Sequence, residues 1–175
     1  AVGPLTGTLR AVNGGAVQVE GVVSGGILQT SGPTSAIRGV GGSLISTALD
    51  NAIVQIPSST FFNVQGTFLG TPGSEFRLSQ SGSGQTDLTL VGNSPVVFSG
   101  PSIILSNSFG NRVYSSSGAA TLTLASGSAI RGGGDIGIKH PCDAARPGQA
   151  KQAFSARRPA RIGQDRTRGL KPGLP

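Results

Sequence analysis

The residues with the most reactive side chains are His140 and Cys142, two positions apart and each the single one of its type. A thiolate beside an imidazole is a nucleophile with its base, or half of a zinc site. Catalysis needs both held in a formed pocket, and zinc needs ligands that no other Cys or His supplies, so the pair reads as solvated and incidental. Carboxylates are the next candidates. Ahead of His140 the only acids are Glu20, Asp50, Glu75, Asp87 and Asp135. Asp87 and Asp135 are 48 positions apart, and paired carboxylates on one outer face are the machinery of glycoside cleavage. Glu75 and Arg77 point the same way on an extended chain and read as an exposed ion pair of little energetic value.

Three further patterns carry weaker chemistry. Gly132-Gly133-Gly134 lacks the spacing, the Lys and the Ser/Thr of a phosphate loop, and reads as a corner turn. Thr86, Thr89, Thr121 and Thr123 sit in alternating segments, where outward hydroxyl rows can face ice or sugars; more simply, they are the polar side of a sheet. Arg157-Arg158-Pro159-Ala160-Arg161, with Arg166, Arg168 and Lys171, has the charge density for weak, salt-dependent, non-specific polyanion binding. Phe154 alone is available there for base stacking, where single-strand binders interleave several aromatics.

These groups fall into two compositional regions. Residues 1–138 balance five arginines against five acids, so the net charge of +7 resides entirely in residues 139–175. Leu, Ile, Val and Phe make up about 30% of the first region and about 11% of the second. A stretch poor in bulky apolar residues and rich in one charge cannot bury enough surface to fold. Residues 1–138 are therefore expected to form one domain and 139–175 a disordered basic tail. Its abrupt onset reads as an out-of-frame or misjoined translation. Across the chain, 29 glycines, 12% charged residues and no Met or Trp exclude a helical bundle or coiled coil. No apolar run approaches a membrane span, so no membrane insertion is expected. A sequence without Met reads as a piece of something longer.

The first region is a succession of short alternating segments. Among them are Thr8-Leu9-Arg10-Ala11-Val12, Ala16-Val17-Gln18-Val19-Glu20, Phe61-Phe62-Asn63-Val64-Gln65 and Glu75-Phe76-Arg77-Leu78-Ser79. Period-2 alternation is the signature of strands with one face inward. Segments begin about every eight residues, which leaves room for about 16 strands. A sandwich and a solenoid both bury such strands, but a solenoid repeats its own sequence. Ser35-Ala36-Ile37-Arg38-Gly39 recurs as Ser128-Ala129-Ile130-Arg131-Gly132, shifted by 93. With three strands to a turn of about 24 residues, that shift is close to four turns. The expected fold is all-β: a right-handed parallel β-helix of about five to six turns. Asp87 and Asp135 would then lie two turns, roughly 9–10 Å, apart. Asn13, Asn51, Asn63, Asn93, Asn107 and Asn111 fall at segment ends, where Asn tolerates left-handed backbone.

The run Val23-Ser24-Gly25-Gly26-Ile27-Leu28-Gln29-Thr30-Ser31-Gly32, continued by Ala36-Ile37-Arg38-Gly39, resembles a phrase of large repetitive bacterial surface proteins. These are the filamentous-haemagglutinin-like and autotransporter-like adhesins. Thr86-Asp87-Leu88-Thr89-Leu90, Asn111-Arg112-Val113-Tyr114 and Ile130-Arg131-Gly132-Gly133-Gly134-Asp135 are similar to the same repeats, and the likeness covers about residues 5–138. It implies a secreted or outer-surface stalk, extracellular in location, that acts as a rigid spacer or attachment surface. Its partners would be surface glycans or proteins, together with neighbouring turns of the parent. It implies no enzyme, no catalytic, cofactor-binding or metal-binding residue, and no cofactor. The competing expectation is a carbohydrate-active β-helix, a glycosidase or lyase.

Overall fold

The computed structural model describes residues 6–116 and 119–137. The basic region 139–175, with His140, Cys142 and the arginine run, lies outside the described residues. Within them the chain forms 18 strands and no helix.

The strands distribute over three faces in strict rotation. The first face holds β1 (Thr8–Val12), β4 (Ile27–Ser31) and β7 (Ala48–Asp50), then β10 (Thr67–Leu69), β13 (Val96–Ser99) and β16 (Leu122–Leu124). The second is one six-stranded sheet: β2 (Ala16–Val19), β5 (Ala36–Gly39), β8 (Ile53–Pro57), β11 (Glu75–Ser79), β14 (Ser102–Leu105) and β17 (Ile130–Gly132). The third, also six-stranded, comprises β3 (Val22–Ser24), β6 (Ser43–Ile45), β9 (Phe61–Gln65), β12 (Thr86–Leu90), β15 (Asn111–Ser115) and β18 (Asp135–Ile136). Every pairing is parallel and joins a strand to the one three places along the chain, as between β2 and β5 or β15 and β18. The result is a parallel β-solenoid of about six turns.

The repeated phrase is explained by register. Ile37 pairs with Val54, Val54 with Phe76, Phe76 with Ile103, and Ile103 with Ile130. Four turns thus separate the two copies, as their spacing implied. Individual turns are far less uniform than the average: Ile37 and its partner Val54 are 17 residues apart, Thr67 and its partner Val97 are 30. The extra residues collect at corners, such as 80–85, 91–95 and 106–110, so strand pairing is kept while corner length varies. The first face tolerates one interruption. Between β7 and β10 the ladder shrinks to a single bridge, Leu49 with Gly70.

Inward residues stack by type. One row of the second sheet runs Val17, Ile37, Val54, Phe76, Ile103, Ile130, and one of the third runs Phe62, Leu88, Val113 and ends at the exposed Ile136. The middle turns add an aromatic cluster. Phe68 stacks on Phe98 at 5.1 Å between centroids, and Phe76 meets both edge-on at 5.6 and 5.1 Å. Such pairs contribute about 0.5–1.5 kcal/mol beyond the area they bury.

Corners carry the polar work. Ser35 Oγ donates to the Ser31 carbonyl at 2.6 Å and accepts from the Gly14 N–H at 3.0 Å. Two turns on, Ser74 Oγ accepts from the Ala52 N–H and donates to the Leu49 carbonyl. At the opposite corner Gln80, Thr86 and Asn111 are buried. Gln80 Oε1 accepts from Thr86 Oγ1 at 2.7 Å, and Asn111 Oδ1 accepts from the Gln80 N–H at 3.3 Å. Asn111 Nδ2 donates to carbonyls of Ser106, Ser108 and Gly133.

The asparagines divide accordingly. Asn13 and Asn51 have φ of 52° and 47° as expected, but Asn63, Asn93, Asn107 and Asn111 do not adopt positive φ. Asn63 lies within β9, and Asn111 points into a corner because its amide can bond several carbonyls at once.

Gly39 occupies a position where a side chain has no room: a Cβ there would lie 2.5–2.8 Å from three atoms of the Phe62 ring. Gly39→Ala is expected to cost about 1–3 kcal/mol through overpacking of the core. Gly21→Ala, with open space at the added carbon, should stay within about 0.5 kcal/mol of the parent. Urea midpoints of the full chain check both, and equal midpoints would contradict the packing described.

Candidate functional site

Stacking turns in register lines up outward residues as well as inward ones, and two of the outward columns carry three charged residues each. On the third face, Phe61 pairs with Asp87, Asp87 with Arg112, and Arg112 with Asp135. The two carboxylates therefore do stand two turns apart in one column, but Arg112 fills the space between them. Its Nε donates to Asp87 Oδ1 at 2.7 Å and its Nη2 to Oδ2 at 2.6 Å. Tyr114 donates its hydroxyl to the same Oδ2 at 3.4 Å, and its ring lies 5.3 Å from the guanidinium carbon. The Arg112 and Asp87 side chains are only 11% and 12% exposed.

This environment raises the Arg112 pKa above its ordinary value. The hydrogen bond to Asp87 dominates, burial opposes it, and the fields of Asp87, Tyr114 and Asp135 assist. A raised folded-state value means that Arg112's contribution is present at all ordinary pH and is lost only in strong alkali. A carboxylate with both oxygens held by a guanidinium is an ion-pair partner, and the gap that a sugar and a water would need for hydrolysis is occupied. The geometry makes this column a clamp between turns.

The second face carries a different column. Gln18, Arg38, Gln55, Arg77, Ile104 and Arg131 follow one another in register, one from each turn. A guanidinium thus appears on every second turn, about 10 Å apart at the usual spacing of strands. Arg77 donates through Nε to Glu75 Oε2 at 2.6 Å, with 48% and 24% of the two side chains exposed, as the two-residue spacing implied. Arg38 and Arg131 are exposed and enter no hydrogen bond or ion pair with other described residues. Beside the column a shallow cavity of about 160 Å³ is lined by Pro33, Thr34, Ile53, Gln55 and Arg77. The signal for this column was present in the sequence: both copies of the repeated phrase place an arginine after the inward isoleucine.

Other expectations are corrected or placed. The four threonines form no common row. Thr86 and Thr89 lie on the third face and are buried, Thr86 by its bonds to Gln80 and Pro57. Thr123 lies within β16 on the first face, and Thr121 immediately precedes it; both are exposed. A parallel stack turns the chain through a corner between them, so alternation alone cannot assign them to one surface. Gly132-Gly133-Gly134 turns the chain from β17 to β18, and Gly132 has φ of 104°. Its added Cβ would strike the Leu105 carbonyl oxygen. Among the described residues no three His, Cys, Asp or Glu side chains gather as a metal site, and no helix is long and apolar enough to cross a membrane.

Comparison with protein-family models, with curated proteins and with solved structures finds no match to this chain.

A double-mutant cycle with Asp87→Ala and Arg112→Ala, read by urea unfolding, is expected to give a coupling of about 1–3 kcal/mol. Asp135→Asn, which removes a field but no hydrogen bond among the described residues, should cost less than about 0.5 kcal/mol. Additive single-mutant costs would rule out the clamp.

Proposed function

We propose that the chain is a structural and adhesive stretch of a large secreted or surface-exposed bacterial repeat protein, serving as a rigid spacer and attachment surface. The observation that carries this reading is the stack itself: two sheets run unbroken through all six turns. In such an architecture each turn is held by its neighbours, and length is gained simply by adding turns. The outer faces then become long, regular surfaces whose side chains recur at the spacing of the turns. The sequence likeness to filamentous-haemagglutinin-like and autotransporter-like adhesins points the same way.

A carbohydrate-cleaving role has less support, because Arg112 stands in register between the aligned carboxylates Asp87 and Asp135 and holds Asp87 in an ion pair. Mechanically, the spacer works because stretching it along the axis requires whole turns to separate. An extended rod of this kind holds distant binding regions away from the cell.

Antibodies raised against the chain and applied to cells that make the parent protein check the location. Binding to intact cells is expected. Binding only after permeabilisation would overturn the surface assignment.

A further inference from the structure

We propose that the second face binds an acidic polysaccharide that carries a carboxylate on every second sugar and lies along the axis over the column Gln18–Arg38–Gln55–Arg77–Ile104–Arg131. This deepens the attachment reading and rests on it.

Charge complementarity comes first. Of the five arginines among the described residues, three stand in this one column. Arg112 is held by Asp87 on another face. Arg38 and Arg131 have no anionic partner among the described residues, and Arg77 is engaged by Glu75 through Nε. Exposed guanidinium groups present planar forks of donors suited to carboxylates.

Periodicity selects the polymer. The arginines recur every second turn, at about 10 Å, and uncharged residues occupy the turns between. Gln55 offers an amide with no bond to another described residue, suited to the hydroxyls of an uncharged sugar. Ile104 offers an apolar surface at the equivalent place between Arg77 and Arg131. One sugar of an extended chain spans roughly one turn, so alternate charged and uncharged sugars meet alternate arginine and neutral positions. The cavity beside Gln55 and Arg77, walled by Pro33 and Thr34, gives the strip a lateral edge. A single-stranded nucleic acid fits less well. Its phosphates recur on every residue, and this face has no aromatic in its outward column for bases to stack on.

The test uses the full 175-residue chain and immobilised hyaluronate, a polymer with a carboxylate on alternate sugars. One variant combines Arg38→Gln, Arg77→Gln and Arg131→Gln. A charge-matched control combines Arg157→Gln, Arg158→Gln and Arg161→Gln, so that attraction by the basic region is separated from the column. The column variant is expected to bind roughly tenfold more weakly, from three exposed charge contacts, while the control keeps most of the parent affinity. Circular dichroism and urea midpoints should match the parent, since the substituted side chains are on the surface. Equal losses in both variants, or no loss in the column variant, would overturn the proposal. So would tighter binding of the parent to single-stranded DNA that the column substitutions abolish. Either failure leaves the antibody result on intact cells untouched, so the attachment polymer and the surface location are judged separately.

Discussion

Parallel pairing between successive turns is the constraint on which everything else in this structure depends. Each strand bonds to the turn before and the turn after, so a residue's environment is decided by the residues at the same register position above and below it. Once Ile37, Val54, Phe76, Ile103 and Ile130 are stacked, the inward rows become continuous and the outward rows become columns. Turn length is free to vary between 17 and 30 residues because the surplus is carried by corners, where no ladder has to be kept. The hydrophobic interior supplies the driving force, and the ladder dictates where it is spent.

Corners are where such a stack is most exposed to failure, because backbone groups leave the ladder there while remaining close to the core. An unpaired buried amide or carbonyl costs about 1–3 kcal/mol. Ser35 and Ser74 meet this need at one corner by bonding main-chain groups of the adjoining turns. At the other corner a linked set of Gln80, Thr86 and Asn111 does so from within the interior. Polar residues that look misplaced in a core are thus the groups that allow the chain to turn.

Stacking also brings like charges within one strand spacing, where they repel. The columns through Arg112 and through Arg77 solve this differently. On the third face the signs alternate, Asp87, Arg112, Asp135, and the central pair becomes a partly buried clamp. On the second face the sign stays positive but neutral residues intervene, Arg38, Gln55, Arg77, Ile104, Arg131. The first arrangement satisfies its own charges. The second leaves guanidinium groups directed outward, which is why it is the better place to look for a partner.

Read alone, the amino-acid sequence determined the class of fold, many strand positions and the number of turns between the two repeated phrases. β1, β9 and β11 fall where alternation places them. Period 2 reports which side of a strand is buried, and a repeat reports the period of a stack; both are local properties of the chain. Which outward residues become neighbours was decided only by the tertiary structure, because that depends on uneven corner lengths that no single strand reveals. Hence the threonines parted between faces, Asn111 turned inward, and the paired carboxylates acquired Arg112 between them. The arginine column was half visible in the repeated phrase, but Arg77 joins it only because turns of unequal length still return the chain to the same register.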